Sequence, residues 1–135
     1  MILNQTQKYA LKIVYHLSLS PNTIFSASRL HADLKIPYKY LTHILTKLSK
    51  SDILSVQRGK DGGFQFVHDP KKVFLYDIVQ SVSKLDEHRC ILNASQCDCE
   101  NPCFLHHKWS KIRNEIIALL SETSLSNLES LKILD

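Results

Sequence analysis

The four cysteines of this 135-residue sequence all lie within fourteen consecutive residues, and this segment is the one best suited to chemistry. They are Cys90, Cys97, Cys99 and Cys103, and two histidines follow within four residues. Thiolates bind soft metals and iron–sulfur clusters, and the positive end of a helix stabilises their charge. A secreted scaffold would spread its cysteines along the chain to join distant segments. The clustering therefore indicates metal binding or redox chemistry in a reducing compartment.

Three interpretations of this segment compete on spacing alone. An iron–sulfur cluster could use three of the cysteines and one other ligand. A structural zinc ion could use three cysteines and one histidine, although zinc sites usually show two close C-x-x-C pairs, which this segment lacks. The thiols could also be metal-free redox switches or small buried residues. The spacing leaves all three open.

A long helix should follow the cysteines and position them. The pattern predicts that it begins near Pro102 and ends near Leu120, which places Cys103 at its start and His106 one turn further on the same side. It carries a heptad-like apolar seam. The seam consists of Leu105, Trp109, Ile112, Ile116 and Leu119. We expect this seam to pair with a second copy in a homodimer with crossed or antiparallel helices.

The first half of the chain predicts a helix-turn-helix. A first helix should run from about Asn4 to Ser18, and Ser26 should cap a short second helix that ends before Pro37. A third helix, from Tyr38 to about Ser49, has one apolar face and one polar, aromatic and basic face. Because its outer face can enter a DNA groove, we interpret it as a recognition helix.

A basic β-hairpin should follow at once. Residues 54–58 and 64–67 alternate between apolar and polar residues, as half-buried strands do. All three glycines of the chain lie between or beside them, and we expect them to supply positive φ angles at the hairpin tip. A helix-turn-helix followed by such a hairpin is a winged helix. The sequence thus predicts a mainly α fold with a small β-hairpin wing and a long C-terminal dimerisation helix.

The positive charge is concentrated in this half of the chain. Residues 29–72 contain nine Lys or Arg and four Asp, whereas the remaining residues contain eight basic and nine acidic side chains. A polyanion-binding surface would need this distribution. The residues that we predict to contact DNA lie on the second and third helices and the wing. They are Ser26, Ser28, Tyr38, Lys39, Tyr40, Thr42, His43, Lys47, Arg58 and Lys60.

We divide the chain into a DNA-binding domain (1–85), a cysteine-rich sensing loop (86–103), and a dimerisation helix with a tail (104–135). The sequence shows no phosphate loop, catalytic base or substrate pocket. An enzyme that handles metals or redox equivalents is therefore disfavoured. A zinc-stabilised DNA-binding module without a sensing role is a further alternative. No apolar run approaches a membrane span and no signal peptide is evident, which predicts a soluble, cytoplasmic protein.

The order of these features resembles the IscR/NsrR-type family of bacterial winged-helix transcription regulators. The most specific motif is the sequence SVQRGKDGGF, from Ser55 to Phe64, which is similar to that family's wing motif. The sequence also resembles the family at residues 9–11, 40–41 and 77–79, and in the Cys…Cys…Cys-x-x-His…Trp order before the long helix.

This resemblance implies a cluster ligated by three cysteines and one histidine, with a two-iron, two-sulfur cluster preferred. By position the ligands would be Cys90, Cys97, Cys103 and His106. The resemblance also implies a regulator, with repression favoured, whose affinity for a palindromic operator changes when the cluster is assembled, oxidised or lost.

Several departures limit the transfer. The gap between Cys90 and Cys97 is one residue longer than in IscR, and Cys99 is extra, so Cys99 is an alternative ligand. Lys8 stands where nitric-oxide-sensing members have an acidic ligand, which argues against that branch. Thr42 replaces a glutamate that IscR uses for one class of operator. Some members carry no cluster at all.

Overall fold

A computed structural model describes residues 3–85, 92, 100 and 103–128 of the chain. Its α-helices are α1 (Gln5–Ser18), α2 (Ala27–Leu34), α3 (Tyr38–Lys50), α4 (Leu75–Val82) and α5 (His106–Glu122). Two strands, β1 (Ser55–Gln57) and β2 (Gly63–Gln65), form the hairpin, and two 3-10 turns lie at Pro70–Lys72 and Leu125–Asn127. The predicted class, mainly α with a small hairpin wing, is confirmed. None of the described helices combines the length and apolar character that crossing a membrane requires.

Helix α1 begins where the sequence predicts because Asn4 caps it. The Asn4 side chain accepts a hydrogen bond from the Gln7 backbone N–H, and the Gln7 side chain accepts one from the Asn4 backbone N–H. This reciprocal pair satisfies two amides that the helix itself leaves unpaired. The apolar face of α1, with Ile13 and Leu17 fully buried, packs against α3 and α4.

The turn between α2 and α3 is fixed by local interactions. Ser26 caps α2 by accepting a hydrogen bond from the Arg29 N–H at 3.1 Å, as predicted. The helix ends at Leu34 because Lys35 adopts the left-handed conformation, with φ 57°. Nδ1 of His31 then donates to the Ile36 carbonyl at 2.6 Å, and Pro37 precedes the first residue of α3. These interactions fix the direction of α3 relative to α2.

The wing is a two-stranded antiparallel hairpin in which Val56 lies opposite Phe64. Its strands are shorter than the sequence predicts, and β2 has a second backbone contact on the edge that faces away from β1. Phe25, just before α2, exchanges two backbone hydrogen bonds with Phe64, of 2.8 and 2.9 Å. The wing is thus joined directly to the start of the helix-turn-helix.

The glycines of the wing do not all serve the purpose that the sequence predicts. Only Gly59 has a positive φ, of 113°. A Cβ on Gly62 would lie 2.1 Å from the Gln57 carbonyl oxygen, and one on Gly63 would lie 2.4 Å from the Phe25 oxygen. Two of the three glycines are therefore required for close backbone approach rather than for a left-handed turn.

Helix α5 begins four residues later than the sequence predicts. Cys103 lies before the helix, because the His106 N–H closes a turn onto the Cys103 carbonyl at 3.0 Å. The regular i to i−4 pattern starts only when Trp109 donates to Leu105. At its other end α5 is joined to the start of α4 by backbone hydrogen bonds of 2.9 Å from Leu75 to Thr123 and from Leu125 to Val73.

The predicted seam of α5 is divided between two directions. Ile116 packs against the domain core, and Leu120, which the seam does not include, is buried there. Ile112 and Leu119 point outward, with 49% and 64% of their surface exposed. The helix thus covers its own domain with one side and leaves a second apolar stripe open.

Replacing Gly63 by Ala should destabilise the fold by roughly 1–3 kcal/mol, because the added methyl group would overlap the Phe25 carbonyl. The measurement is the free energy of unfolding from urea denaturation. Asp61→Ala, at the exposed tip of the same hairpin, is the control and should change it little. Equal stabilities of the two variants would contradict the role assigned to this close approach.

Candidate nucleic-acid interface and cysteine segment

The outer face of α3 is exposed, as a recognition helix requires. Lys39 and His43 are open to solvent, and Tyr38 and Tyr40 keep 49% and 41% of their surface exposed. The opposite face is fully buried. Its residues are Leu41, Ile44, Leu45 and Leu48. A rigid core therefore presents a polar, aromatic and cationic surface one helix wide.

The Tyr40 side chain is held by α1. Its ring meets the Tyr9 ring edge-on at 5.5 Å, and its hydroxyl shares a 2.5 Å hydrogen bond with the Thr6 hydroxyl. The Tyr40 ring therefore packs against α1. The exposed part of the ring is oriented before any ligand arrives.

Tyr38 is oriented by the turn that precedes it. Its ring lies edge-on to His31 at 5.8 Å, and His31 is the residue that donates to the Ile36 carbonyl. One imidazole therefore closes the turn and supports the first side chain of the recognition helix.

Two other predicted contacts are engaged within the protein. The Thr42 hydroxyl donates to the Lys39 carbonyl at 3.0 Å, which leaves it free only to accept from a ligand. The Lys47 ammonium donates to the Val82 carbonyl at the end of α4 at 2.9 Å, and its side chain is half-buried. Lys47 therefore has an intramolecular partner that the sequence did not indicate.

The start of α2 adds a polar edge to this surface. Ser26 and Ser28 are both exposed, and Ser26 also serves as the cap. Sequence analysis missed Arg29 here, whose guanidinium lies 4.3 Å above the Phe25 ring. Its Nε is also 3.8 Å from the Asp33 carboxylate. An aromatic residue directly before a serine cap, with Arg three residues on, was the available signal.

The wing carries its cations at the tip. Arg58 and Lys60 are exposed on either side of Gly59, and Asp61 is exposed beside them. Because the Phe25–Phe64 contact joins the hairpin to the start of α2, these cations stand at a fixed position relative to the helix-turn-helix.

The structure describes two of the predicted cluster ligands, Cys103 and His106. Cys103 is a half-buried free thiol three residues ahead of the half-buried His106, which begins α5. His107, beside it, is exposed, and the two imidazole rings are 5.3 Å apart. The other candidates, Cys90, Cys97 and Cys99, lie outside the described residues.

These two donors fit an iron–sulfur or zinc site. A thiolate and an imidazole are the ligand types that both sites use, and the turn closed by the His106 N–H places the two residues at one end of the helix. Within the described part of the chain no group of three His, Cys, Asp or Glu side chains is arranged to hold a metal ion. The remaining ligands would have to come from the cysteine segment.

The comparison with protein families matches residues 3–130 to the Rrf2 model, described as an iron-dependent transcriptional regulator. A helix-turn-helix transcriptional regulator of Aquifex aeolicus (strain VF5) is 28% identical over 131 residues, which cover 95% of this chain and 91% of that protein. The regulator IscR of Xenorhabdus nematophila is 27% identical over 94 residues, which cover 69% of this chain but only 57% of IscR.

Among solved structures, CymR, the global cysteine regulator of B. subtilis, superposes with a TM-score of 0.76. The superposition covers 94% of this chain and 95% of CymR at 19% identity, and it shows a shared fold. These proteins are regulators rather than enzymes, and transcriptional regulators of this kind act by binding DNA. With nearly its whole length matched, the chain belongs to the Rrf2 family of transcriptional regulators.

Proposed function

We propose that the chain is a homodimeric, sequence-specific DNA-binding repressor whose operator affinity is controlled by an iron–sulfur cluster at the cysteine segment. The observation that carries the proposal is the outer face of α3. This face is exposed. Contacts with Thr6, Tyr9 and His31, which belong to two other helices, orient its tyrosines. The core also joins α3 to a cationic wing. A protein that acts on operator DNA in this way would be cytoplasmic.

In this proposal α3 enters the major groove, and Lys39 and His43 reach base edges. The wing cations Arg58 and Lys60 neutralise phosphates, and the start of α2 contacts the sugar–phosphate backbone of the DNA. We leave Lys47 out of the proposed set because its ammonium donates to Val82 and its side chain is half-buried. The proposed contacts are Ser26, Ser28, Tyr38, Lys39, Tyr40, Thr42, His43, Arg58 and Lys60.

Replacing Arg58 by Ala should weaken binding to every duplex and lower the slope of log K against log[salt] by about 0.9, the value for one lost phosphate contact. His43→Ala should instead weaken binding to the operator alone, by roughly 1–3 kcal/mol. Both are measured by fluorescence anisotropy at several salt concentrations, with an operator selected from random duplexes and an unrelated duplex.

The control for these variants is Lys111→Ala, which removes an exposed cation from α5 and should leave both duplexes unaffected. If all three variants lower affinity equally, net charge rather than the recognition surface determines binding, and the proposed interface is wrong.

The dimer is proposed on the open stripe of α5. Ile112 and Leu119 are one heptad apart and are 49% and 64% exposed. Lys108 and Lys111 lie in the first half of the helix, and Glu115 and Glu122 in the second. An antiparallel pair brings opposite charges together, whereas a parallel pair in register opposes like charges. A two-fold dimer of this kind would present two copies of α3 to a palindromic site.

Leu119→Glu should convert the protein to a monomer at micromolar concentration, because it places two carboxylates in an apolar interface. Sedimentation velocity reports the mass, and operator affinity should fall at least tenfold as the second recognition helix is lost. Asn114→Glu, on an exposed position of the same helix, should remain dimeric. A dimeric Leu119→Glu protein would show that the interface lies elsewhere.

The cluster ligands proposed are Cys90, Cys97, Cys103 and His106, with Cys99 as an alternative to Cys97. When bound, a two-iron, two-sulfur cluster supplies a redox-active group that can be oxidised or lost. Cys103 and His106 would attach the segment to the start of α5, and their release would free that end of the helix. Since the other end of α5 is bonded to the start of α4, a change at the segment can reach the DNA-binding domain.

Cys103→Ala and His106→Ala should each remove or destabilise the cluster, and His107→Ala, at an exposed neighbouring imidazole, should retain it. The readout is anaerobic purification followed by an absorption spectrum and assays of iron, sulfide and zinc. Visible bands with matched iron and sulfide are expected for the unmodified protein. A colourless protein with about one zinc per chain, or one that takes up no metal after reconstitution, would overturn the cluster in favour of a structural metal or a thiol switch.

A further inference from the structure

Side chains from two other helices donate hydrogen bonds to the last turn of α4. The final carbonyls of a helix have no partner within it. The Val82 carbonyl accepts a 2.9 Å hydrogen bond from the Lys47 ammonium of α3. The Ser83 carbonyl accepts a 2.8 Å bond from Nε2 of Gln7 on α1. A cation at this end is also favoured by the helix dipole.

Gln7 is unusual in that it is a polar side chain with only 2% of its surface exposed. Both ends of its amide are used, because Oε1 accepts from the Asn4 N–H at 2.9 Å while Nε2 donates to Ser83. Nδ2 of Asn4 in turn donates to the Ser83 hydroxyl at 3.1 Å. The cap of α1 and the end of α4 therefore form one hydrogen-bonded unit.

This unit contacts the recognition helix, and in the sequence it directly precedes the cysteine segment. Lys47 belongs to the recognition helix itself, and Gln7 lies one residue after Thr6, which bonds to Tyr40. On the other side, Leu85 is buried, and its N–H donates to the Gln80 side chain at 2.9 Å. The chain then continues into the cysteine segment, residues 86–103.

We propose that Lys47 and Gln7 are positioning residues that transmit the state of the cysteine segment to α3 through the last turn of α4. The inference rests on the proposed function and specifies how its regulation reaches the DNA-binding surface. A displacement of Val82 and Ser83 acts on α3 through Lys47, and on α1 and Tyr40 through Gln7. Lys47 thus serves regulation without contacting DNA.

The test compares Lys47→Met with Lys47→Arg and Lys50→Met. Met keeps the stem of Lys47 and removes the donor, and Arg restores a cationic donor. Lys50→Met removes a cation from an exposed position one turn along the same helix. Thermal unfolding confirms that each variant is folded. The measurements are operator affinity with and without reconstituted cluster, the salt slope of the apo protein, and amide hydrogen exchange.

Lys47→Met should bring the ratio of cluster-loaded to apo affinity at least fivefold closer to one, with a salt slope equal to that of the unmodified protein. It should also speed exchange of the Val82 and Ser83 amides, because the last turn of α4 loses its partner. Lys47→Arg should restore both properties, and Lys50→Met should leave the ratio and the exchange unchanged.

Two results would overturn the inference. A salt slope lowered by about 0.9, with an unchanged ratio and unchanged exchange, would make Lys47 a phosphate contact. Unchanged values of all three would make its bond to Val82 incidental. If the unmodified protein itself binds equally with and without cluster, the proposed cluster control is wrong. The positioning role is then decided by hydrogen exchange alone, and unaltered exchange in Lys47→Met refutes it.

Discussion

The burial of one face of α3 is the constraint on which the rest of the structure depends. Its four inward residues, Leu41, Ile44, Leu45 and Leu48, are fully buried against α1, α2 and α4. Each such side chain stabilises the fold by about 1.5–3 kcal/mol relative to an exposed one. Because the helical repeat is 3.6 residues, fixing this face also fixes which side chains point outward. The recognition surface is thus a direct consequence of the core, because a rotation of α3 that moved its outer side chains would also expose its leucines.

The wing depends on the same core through a backbone contact. Phe25 is buried beneath α2, and its two hydrogen bonds to Phe64 extend the hairpin into the helical domain. A hairpin of two three-residue strands is marginal on its own. Here β2 is held by the Phe25 bonds to Phe64, and Phe66, just after β2, is fully buried and accepts a bond from the Asn22 N–H. The position of Arg58 and Lys60 is therefore set by aromatic burial several residues away.

Features encoded locally could be predicted from the sequence. The start of α1 near Asn4, the cap at Ser26 and the stripe of α3 follow from residue type and spacing within one or two turns. The proximity of Cys103 and His106 was predictable for the same reason. Contacts between distant segments were not. The bonds from Lys47 to Val82 and from Thr6 to Tyr40, and the approach of Gly63 to Phe25, depend on how distant segments pack. Lys47 was therefore predicted only as a DNA contact. The start of α5 was placed too early because the turn at Cys103 has no distinctive sequence signal.

Helix α5 has to satisfy two surfaces at once, and this limits how a signal can act. Ile116 and Leu120 hold it to its own domain, while Ile112 and Leu119, about a tenth to a quarter of a turn away around the helix, remain available to a second copy. Its C-terminal end is bonded to the start of α4, so that end cannot move without disturbing the DNA-binding domain. Cys103 and His106 lie at its N-terminal end, where the His106 N–H closes a turn onto the Cys103 carbonyl. In the proposed regulation, a ligand change at those two residues acts at the N-terminal end of α5. Its effect would have two routes to α3, either through α5 to the start of α4 or through the covalent chain to the end of α4.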